Sequence, residues 1–176
     1  KCGKDPAYFM RKYCHIQHPT RGRILFNLYP FQEKVLHLFK DNTNMVLLKS
    51  RQLGISTLAA AYSLWLMLFH KDKNVLALAT TQATARNLVT KTIFMYDELP
   101  KWLKLPSVEK NKLSLRLKNG SKITAKSSSP DAARSEAVSL LLMDEAAFIE
   151  NIEDTFAAAQ QTLATGGQCM ALSTPN

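Results

Sequence analysis

The sequence lacks the many cysteines and the long apolar run that are the features of disulfide-rich and membrane-spanning proteins. Its three cysteines, Cys2, Cys14 and Cys169, are odd in number and scattered, which fits a reducing cytosol better than a disulfide framework. The longest apolar stretch runs from Leu58 to Phe69, about a dozen residues, which is too short to cross a bilayer. Lys1 to His18 is polar and lacks the pattern of a signal peptide. We therefore expect one globular domain that does not enter a membrane.

Acidic residues are also scarce relative to basic ones. The chain has 14 acidic and 23 basic residues, a net charge of +9. This balance favours a polyanionic partner, nucleic acid first, although a merely basic surface would give the same count. The basic residues are dispersed along the chain, and their densest run lies between Lys101 and Lys126. This spread suits sequence-independent contact with phosphates better than base reading.

Strand-like and helix-like segments alternate along the chain, which predicts an α/β fold with a mainly parallel sheet covered by helices on both faces. Asn119-Gly120 predicts the turn of a hairpin between Leu113–Leu117 and Lys122–Ala125. The apolar segment Ser139–Met143 predicts an interior strand. The other predicted strands are Met45–Leu48, Val75–Ala79 and Cys169–Leu172, and the predicted helices are Asp5–His15, Tyr29–Lys40, Ser56–Phe69, Gln82–Leu99 and Asn151–Leu163.

The segment from Lys49 to Thr57 indicates a phosphate-binding loop between a strand and a helix. The lysine of the pattern G-x-x-x-x-G-K-[ST] is missing, because Ile55 occupies its position and Lys49 occupies that of the first glycine. Gly54 would allow close approach of a phosphate, and Ser56 stands where a magnesium-binding hydroxyl belongs, with Thr57 as a weaker substitute. Lys49 could fold back over the β- and γ-phosphates, and Arg51 adds a second cation. The alternative is an ordinary strand-to-helix turn.

The proposed nucleotide-binding residues of the loop are Lys49, Ser50, Arg51, Gln52, Leu53, Gly54, Ile55, Ser56 and Thr57.

Two adjacent carboxylates follow the apolar strand that ends near Met143. Buried carboxylates are costly unless they meet a metal, a water or a cation. The expected division is that Asp144 binds Mg²⁺ and Glu145 polarises the attacking water. The alternative is that Asp144 caps a helix.

Two further polar residues are candidates for the same site. The amide of Gln32 could bind the edge of adenine, with Tyr29 or Phe31 beside the ring, although an amphipathic helix start also explains this segment. Arg134 could act as an arginine finger in a neighbouring subunit's site, or could simply be solvated or paired with an acid.

Taken together, these motifs make the chain resemble the N-terminal ATPase domain of a tailed-phage large terminase, the DNA-packaging motor, in its contractile-tailed (myophage) branch. The segments that carry the resemblance are Tyr8-Phe9, Tyr13 to His18, Leu28 to Gln32, Ser50 to Gly54, Ser128 to Ala132, Met143 to Ile149 and Ser173 to Asn176.

The resemblance implies a P-loop ATPase of the additional-strand, catalytic-glutamate type. It implies ATP and Mg²⁺ as cofactors, catalytic roles for Glu145, Arg51 and Arg134, and metal binding by Ser56 and Asp144. It also implies that the segment Ser173, Thr174, Pro175 and Asn176 couples hydrolysis to movement. Residues 1–44 would carry the adenine-binding motif, and residues 45–176 would form the P-loop core of one ATPase domain.

The resemblance further implies double-stranded DNA, the portal of the procapsid and a small terminase subunit as partners. The chain would assemble as a pentameric ring on the portal, be monomeric in isolation, and act in the host cytoplasm. The nuclease domain of such proteins would follow Asn176. Two rivals stay open: a helicase-like nucleic-acid-dependent ATPase, and a DNA-binding or assembly module in which Ile55 marks a decayed site.

Overall fold

The computed structural model describes residues 1–129, 137–163 and 166–175. Their strands, in chain order, are β1 His15–His18, β2 Gly22–Leu25, β3 Asn44–Leu48, β4 Asn74–Ala79, β5 Ser107–Lys110, β6 Ser114–Leu117, β7 Lys122–Ser127, β8 Leu140–Asp144 and β9 Gln168–Ser173. Their α-helices are α1 Pro6–Tyr13, α2 Pro30–Asp41, α3 Ile55–Phe69, α4 Gln82–Asp97 and α5 Ile152–Leu163, and a short 3₁₀ helix covers Ala146–Phe148.

Seven of these strands form one sheet in the order β3-β9-β8-β4-β7-β6-β5, and β1 pairs only with β2. The first five are parallel to one another, whereas β6 and β5 continue the sheet in antiparallel pairing. β9 lies between β3, which leads into the phosphate loop, and β8, which carries the acidic pair. This inserted strand is the additional strand that the family resemblance implied.

Two apolar cores cover the two faces of the sheet. The larger core joins the sheet to α1, α2, α3 and α4, and α3 is its centre, because every residue from Leu58 to Leu68 is buried. The smaller core packs Ala158, Ala159 and Leu163 of α5 against β4, β8 and β9. The predicted arrangement, with helices on both faces of a mainly parallel sheet, is therefore confirmed.

The predicted strands and helices form with small shifts at their ends. The hairpin at Asn119-Gly120 is confirmed by the antiparallel pairing of β6 with β7. Ser139–Met143 was predicted as an interior strand, and β8 is buried at all five positions between β9 and β4. The sequence analysis missed the β1–β2 hairpin and β5. Both are short and largely polar, and β5 is exposed at every residue, so neither shows an apolar alternation.

β3 is the outer parallel strand, and one of its faces is open. Val46 is 85% exposed and Leu48 is 70% exposed, whereas Met45 and Leu47, which alternate with them along the strand, pack on the larger core. The strand is thus apolar on both faces but buried on one.

This difference predicts unequal effects of two identical truncations. Leu142→Ala, in the buried strand β8, should lower the free energy of unfolding by about 2–5 kcal/mol, because it removes packed methyl groups and leaves a cavity. Leu48→Ala should change it by less than about 0.5 kcal/mol. Urea unfolding followed by circular dichroism measures both. Equal losses would contradict the assignment of Leu48 to an open face.

Candidate functional site

The phosphate loop turns sharply between β3 and α3. Gln52 and Gly54 both adopt positive φ angles, 63° and 70°. Gly54 is the N-cap of α3, and its carbonyl accepts the first helical hydrogen bond, from the Leu58 amide at 2.9 Å. The loop therefore ends at a helix N-terminus, where free N–H groups and the helix dipole favour an anion.

Gln32 of α2 is hydrogen-bonded to this loop. Its amide nitrogen donates to the Leu53 carbonyl at 2.9 Å, and its amide oxygen accepts from the Tyr29 N–H at 3.0 Å. A Cβ at position 54 would lie 2.8 Å from the Gln32 amide nitrogen and would displace it from the loop, and the φ of 70° itself favours glycine. Gln32 is 2% exposed, and one N–H and one lone pair remain for an adenine edge. Tyr29 and Phe31 stack on each other, with ring centroids 5.7 Å apart, and both are exposed.

Lys49 directs its ammonium to the acidic pair from the entrance of the loop. Its Nζ lies 3.1 Å from Glu145 Oε1 and 3.9 Å from Asp144 Oδ1, and its side chain is only 9% exposed. The Lys49 N–H also donates to the Ser173 carbonyl at 2.8 Å, which fixes the loop entrance to the end of β9. A cation therefore reaches the centre of the site although position 55 has none.

Ile55, at the position of the usual loop lysine, is part of the apolar packing. Its side chain is 3% exposed and belongs to the larger core. A lysine turned into this apolar packing would be strongly disfavoured.

Ser56 and Asp144 form the second polar contact of the site. Ser56 Oγ donates to Asp144 Oδ1 at 3.1 Å, and Asp144 is 8% exposed at the end of β8. Hydroxyl and carboxylate oxygens are ligands that Mg²⁺ accepts, usually together with waters and substrate phosphates. This pair therefore fits magnesium.

Glu145 has a strained backbone and a fully engaged carboxylate. Its φ and ψ are 53° and 46°, the left-handed region that a residue with a Cβ rarely adopts. Oε1 accepts from Lys49, and Oε2 accepts from the Thr174 hydroxyl at 2.9 Å and the Thr174 N–H at 3.2 Å. The Ser173 hydroxyl accepts from the Ala147 N–H at 3.0 Å, which ties β9 to the turn after Glu145.

These contacts change the acidity of the carboxylate. Burial raises the pKa of Glu145, but the hydrogen bonds from Lys49 and Thr174 outweigh it, so the pKa lies below its usual value. Glu145 is therefore ionised at neutral pH.

A cation that the sequence analysis missed lies in the same electrostatic environment. Lys91 of α4 is half-buried, and burial lowers its pKa, with Asp144 opposing and Lys49 adding to the effect. No motif contains Lys91, and only the packing of α4 reveals it.

The remaining predicted residues occupy different positions. Arg51 is exposed on the loop, as are Ser50, Gln52 and Leu53, whereas Thr57 is half-buried. Pro175 is exposed after β9. Arg134 and Asn176 lie outside the described residues. The structure thus brings together Gln32, Lys49, Gly54, Ser56, Asp144, Glu145, Ser173 and Thr174 at the carboxyl ends of β3, β8 and β9.

Comparison with known families identifies a match over most of the chain. Residues 46–176 match the family described as Terminase large subunit, T4likevirus-type, N-terminal. The chain belongs to this large terminase family. The match begins within β3 and covers the phosphate loop, the acidic pair and Ser173 to Asn176.

Solved terminase structures share the fold. The large terminase of bacteriophage HK97 is 17% identical, with a TM-score of 0.76, covering 98% of this chain and 37% of that protein. The ATPase domain of the Thermus phage P74-26 large terminase is 20% identical, with a TM-score of 0.70, covering 86% and 66%. A large terminase from a thermophilic bacteriophage, in complex with ADP, is 17% identical, with a TM-score of 0.64, covering 84% and 39%. The terminase chain thus has the P-loop ATPase fold and spans only part of these relatives.

Within the described residues, no helix is both long and apolar enough to cross a membrane.

The Lys49 contact predicts a measurable change in acidity. Lys49→Met should raise the pKa of Glu145, because burial remains while the strongest lowering hydrogen bond is lost. Carbon-13 NMR of labelled glutamate carboxylates measures the shift, with Lys34→Met on the exposed face of α2 as control.

The same linkage sets the sign of the pH dependence of stability. A lowered pKa stabilises the folded state above the unfolded value of 4.5, and this contribution disappears as the pH falls through the folded value. The stability difference between the wild type and Lys49→Met should therefore shrink below about pH 4.5. A Glu145 pKa equal in the two proteins would refute the contact.

Proposed function

We propose that this chain binds and hydrolyses Mg-ATP and is the motor part of a viral large terminase, which drives double-stranded DNA into a procapsid. The observation that carries the proposal is the convergence of a cation, a hydroxyl and two carboxylates beneath a phosphate loop. Lys49 Nζ lies 3.1 Å from Glu145 Oε1, and Ser56 Oγ lies 3.1 Å from Asp144 Oδ1. Membership in the terminase family and the ADP complex of a relative support the same activity.

Nucleotide binding would use the residues around the loop. The backbone of Ser50 to Thr57 would surround the phosphates, and Gln32 would meet the adenine with its remaining hydrogen-bonding capacity. Ser56 and Asp144 would hold Mg²⁺, which neutralises charge on the phosphates when bound. Lys49 would leave Glu145 for the β- and γ-phosphates, because a polyphosphate offers the ammonium more negative charge than one carboxylate does.

When the Lys49 ammonium moves away from Glu145, the carboxylate would become available for the hydrolysis step. An ionised carboxylate with a free Oε1 can accept a hydrogen bond from water and orient it towards the γ-phosphate. Thr174 would hold Oε2 during this step, so that the carboxylate keeps its direction. Glu145 is thus inhibited by Lys49 without nucleotide and freed by its binding.

The end of β9 would sense the reaction. The Ser173 carbonyl contacts the loop entrance through the Lys49 N–H, and Thr174 contacts Glu145. Any movement of Lys49 or Glu145 therefore reaches the same two residues. We propose that Ser173 to Asn176 couple hydrolysis to movement.

The arginines and the assembly complete the proposal. Arg51 would act near the γ-phosphate of its own site, and Arg134 would act in the site of a neighbouring subunit. The chain would be a single ATPase domain, with residues 1–44 carrying the adenine-binding motif. It would work in the host cytoplasm, docked on the portal as a pentameric ring with a small terminase subunit.

The water-orienting role predicts the effect of one substitution. Glu145→Gln should lower kcat for ATP hydrolysis by about 100-fold or more while sparing ATP binding, because the amide keeps the shape but cannot accept a proton. Phosphate release and calorimetry measure the two quantities. Glu153→Gln, on the exposed surface of α5, is the control. Equal turnover in wild type and Glu145→Gln would remove Glu145 from this role.

The phosphate-binding role predicts a different effect at the loop entrance. Lys49→Met should weaken Mg-ATP binding about 10-fold to 100-fold, because a charge-assisted hydrogen bond to a phosphate is lost. Calorimetry measures it, with Lys34→Met as control and circular dichroism as the test of folding. Binding that survives in a folded Lys49→Met variant would give the role to Arg51 or to the backbone. A wild type that binds no Mg-ATP would favour the decayed-module rival.

A further inference from the structure

The antiparallel end of the sheet has a polar face that no described helix covers. A groove of about 390 Å³ lies on it, and its lining includes Arg116 of β6 and Lys122, Thr124 and Lys126 of β7. We refer to these four residues as the basic face. The apolar core on this side of the sheet involves β4, β8, β9 and α5, and within the described residues it includes nothing from β5, β6 or β7.

Strand register brings the basic face together. Arg116 is directly opposite Lys122 in the β6–β7 pair, so their Cβ atoms lie about 5 Å apart. Lys122, Thr124 and Lys126 alternate along β7 with Ile123 and Ala125, which are buried on the α4 side. Lys122 and Lys126 are about 13 Å apart along the strand, given about 3.3 Å per residue.

The composition of the face decides what it fits. Leu113 and Ala125 also line the groove, but the four residues of the basic face are cationic or hydroxylic, which favours an anionic ligand. Among the described residues, Glu109 is the carboxylate that lines the groove, and although it is opposite Arg116 in the β5–β6 pair, the two are not joined by an ion pair. Instead, Glu109 accepts hydrogen bonds from Asn111 at 2.8 Å and from Ser114 within its own turn.

The face extends to the sheet edge that carries the nucleotide site. The carboxyl end of β7 is two strands from that of β8, about 10 Å at 4.8 Å per strand. Gln82, the first residue of α4, also lines the groove and follows the carboxyl end of β4. A ligand on the face would therefore lie beside the ATP site.

We infer that the basic face binds the phosphate backbone of double-stranded DNA. This inference rests on the proposed motor function and assigns its DNA-contacting surface. Arginine, lysine and threonine side chains are the usual donors to DNA phosphates, and such contacts position a protein without reading sequence. A rod with one negative charge per about 1.7 Å can contact several cations spread over about 13 Å at once.

The test compares two triple variants of the full chain with the same change in charge. One replaces Arg116, Lys122 and Lys126 with glutamine, and the control replaces Lys12, Lys34 and Lys40, which are exposed on α1 and α2. Binding to a fluorescent 30-base-pair duplex is measured by anisotropy over a range of salt concentrations. The first variant should reduce the steepness of log K against log salt by about 2–3, because three phosphate contacts are lost. The control should keep the wild-type slope.

Several outcomes would overturn the inference. Equal changes in the two triple variants would mean that net charge sets the affinity, and a wild type that does not bind the duplex would refute the surface directly. Loss of single-stranded RNA binding with duplex binding kept would assign the face to RNA. If the triple variant fails to fold, Arg116→Gln alone should reduce the slope by about 1. Mg-ATP binding, measured in the same samples, separates failure of this face from failure of the motor proposal.

Discussion

The contact between one ammonium and two carboxylates organises this molecule. Lys49 follows β3, whereas Asp144 and Glu145 lie at the end of β8, and Lys49 and Asp144 are largely withdrawn from water, so the ammonium and the carboxylates compensate each other's charge. Their meeting requires β3 and β8 to end at the same level of the sheet. It also requires β9 between them, whose Ser173 and Thr174 fill the hydrogen bonds that the ion pair leaves open.

Other elements of the fold keep these three charged side chains in contact. α3 is buried along nearly its whole length, so the loop before it cannot drift, and Gln32 fixes the same loop from α2. The antiparallel strands extend the sheet without adding to the nucleotide site. They add a polar surface whose charge matches a long polyanion, so the two ends of the sheet have different chemistry.

The sequence was sufficient for the parts that depend on local pattern. Apolar runs identified β3, β4, β8 and β9, and the acidic pair and Gly54 indicated the site. The position of Lys49 was a hypothesis, because its distance to Glu145 depends on how two strands 96 residues apart align. Lys91 could not be found, because its environment exists only after α4 packs. Gln32 was expected to face adenine, but its amide also donates to the Leu53 carbonyl of the phosphate loop, a contact set by the relative position of α2.

The backbone of Glu145 has a consequence for how this chain tolerates change. A left-handed conformation at a residue with a side chain costs about 1–2 kcal/mol, a cost that glycine would not incur. Glycine would thus relax the turn and at the same time delete the carboxylate. With the role proposed for Glu145, selection for a more stable fold and selection for ATP hydrolysis oppose each other at this position, so directed evolution for heat resistance alone would favour a change that removes the carboxylate.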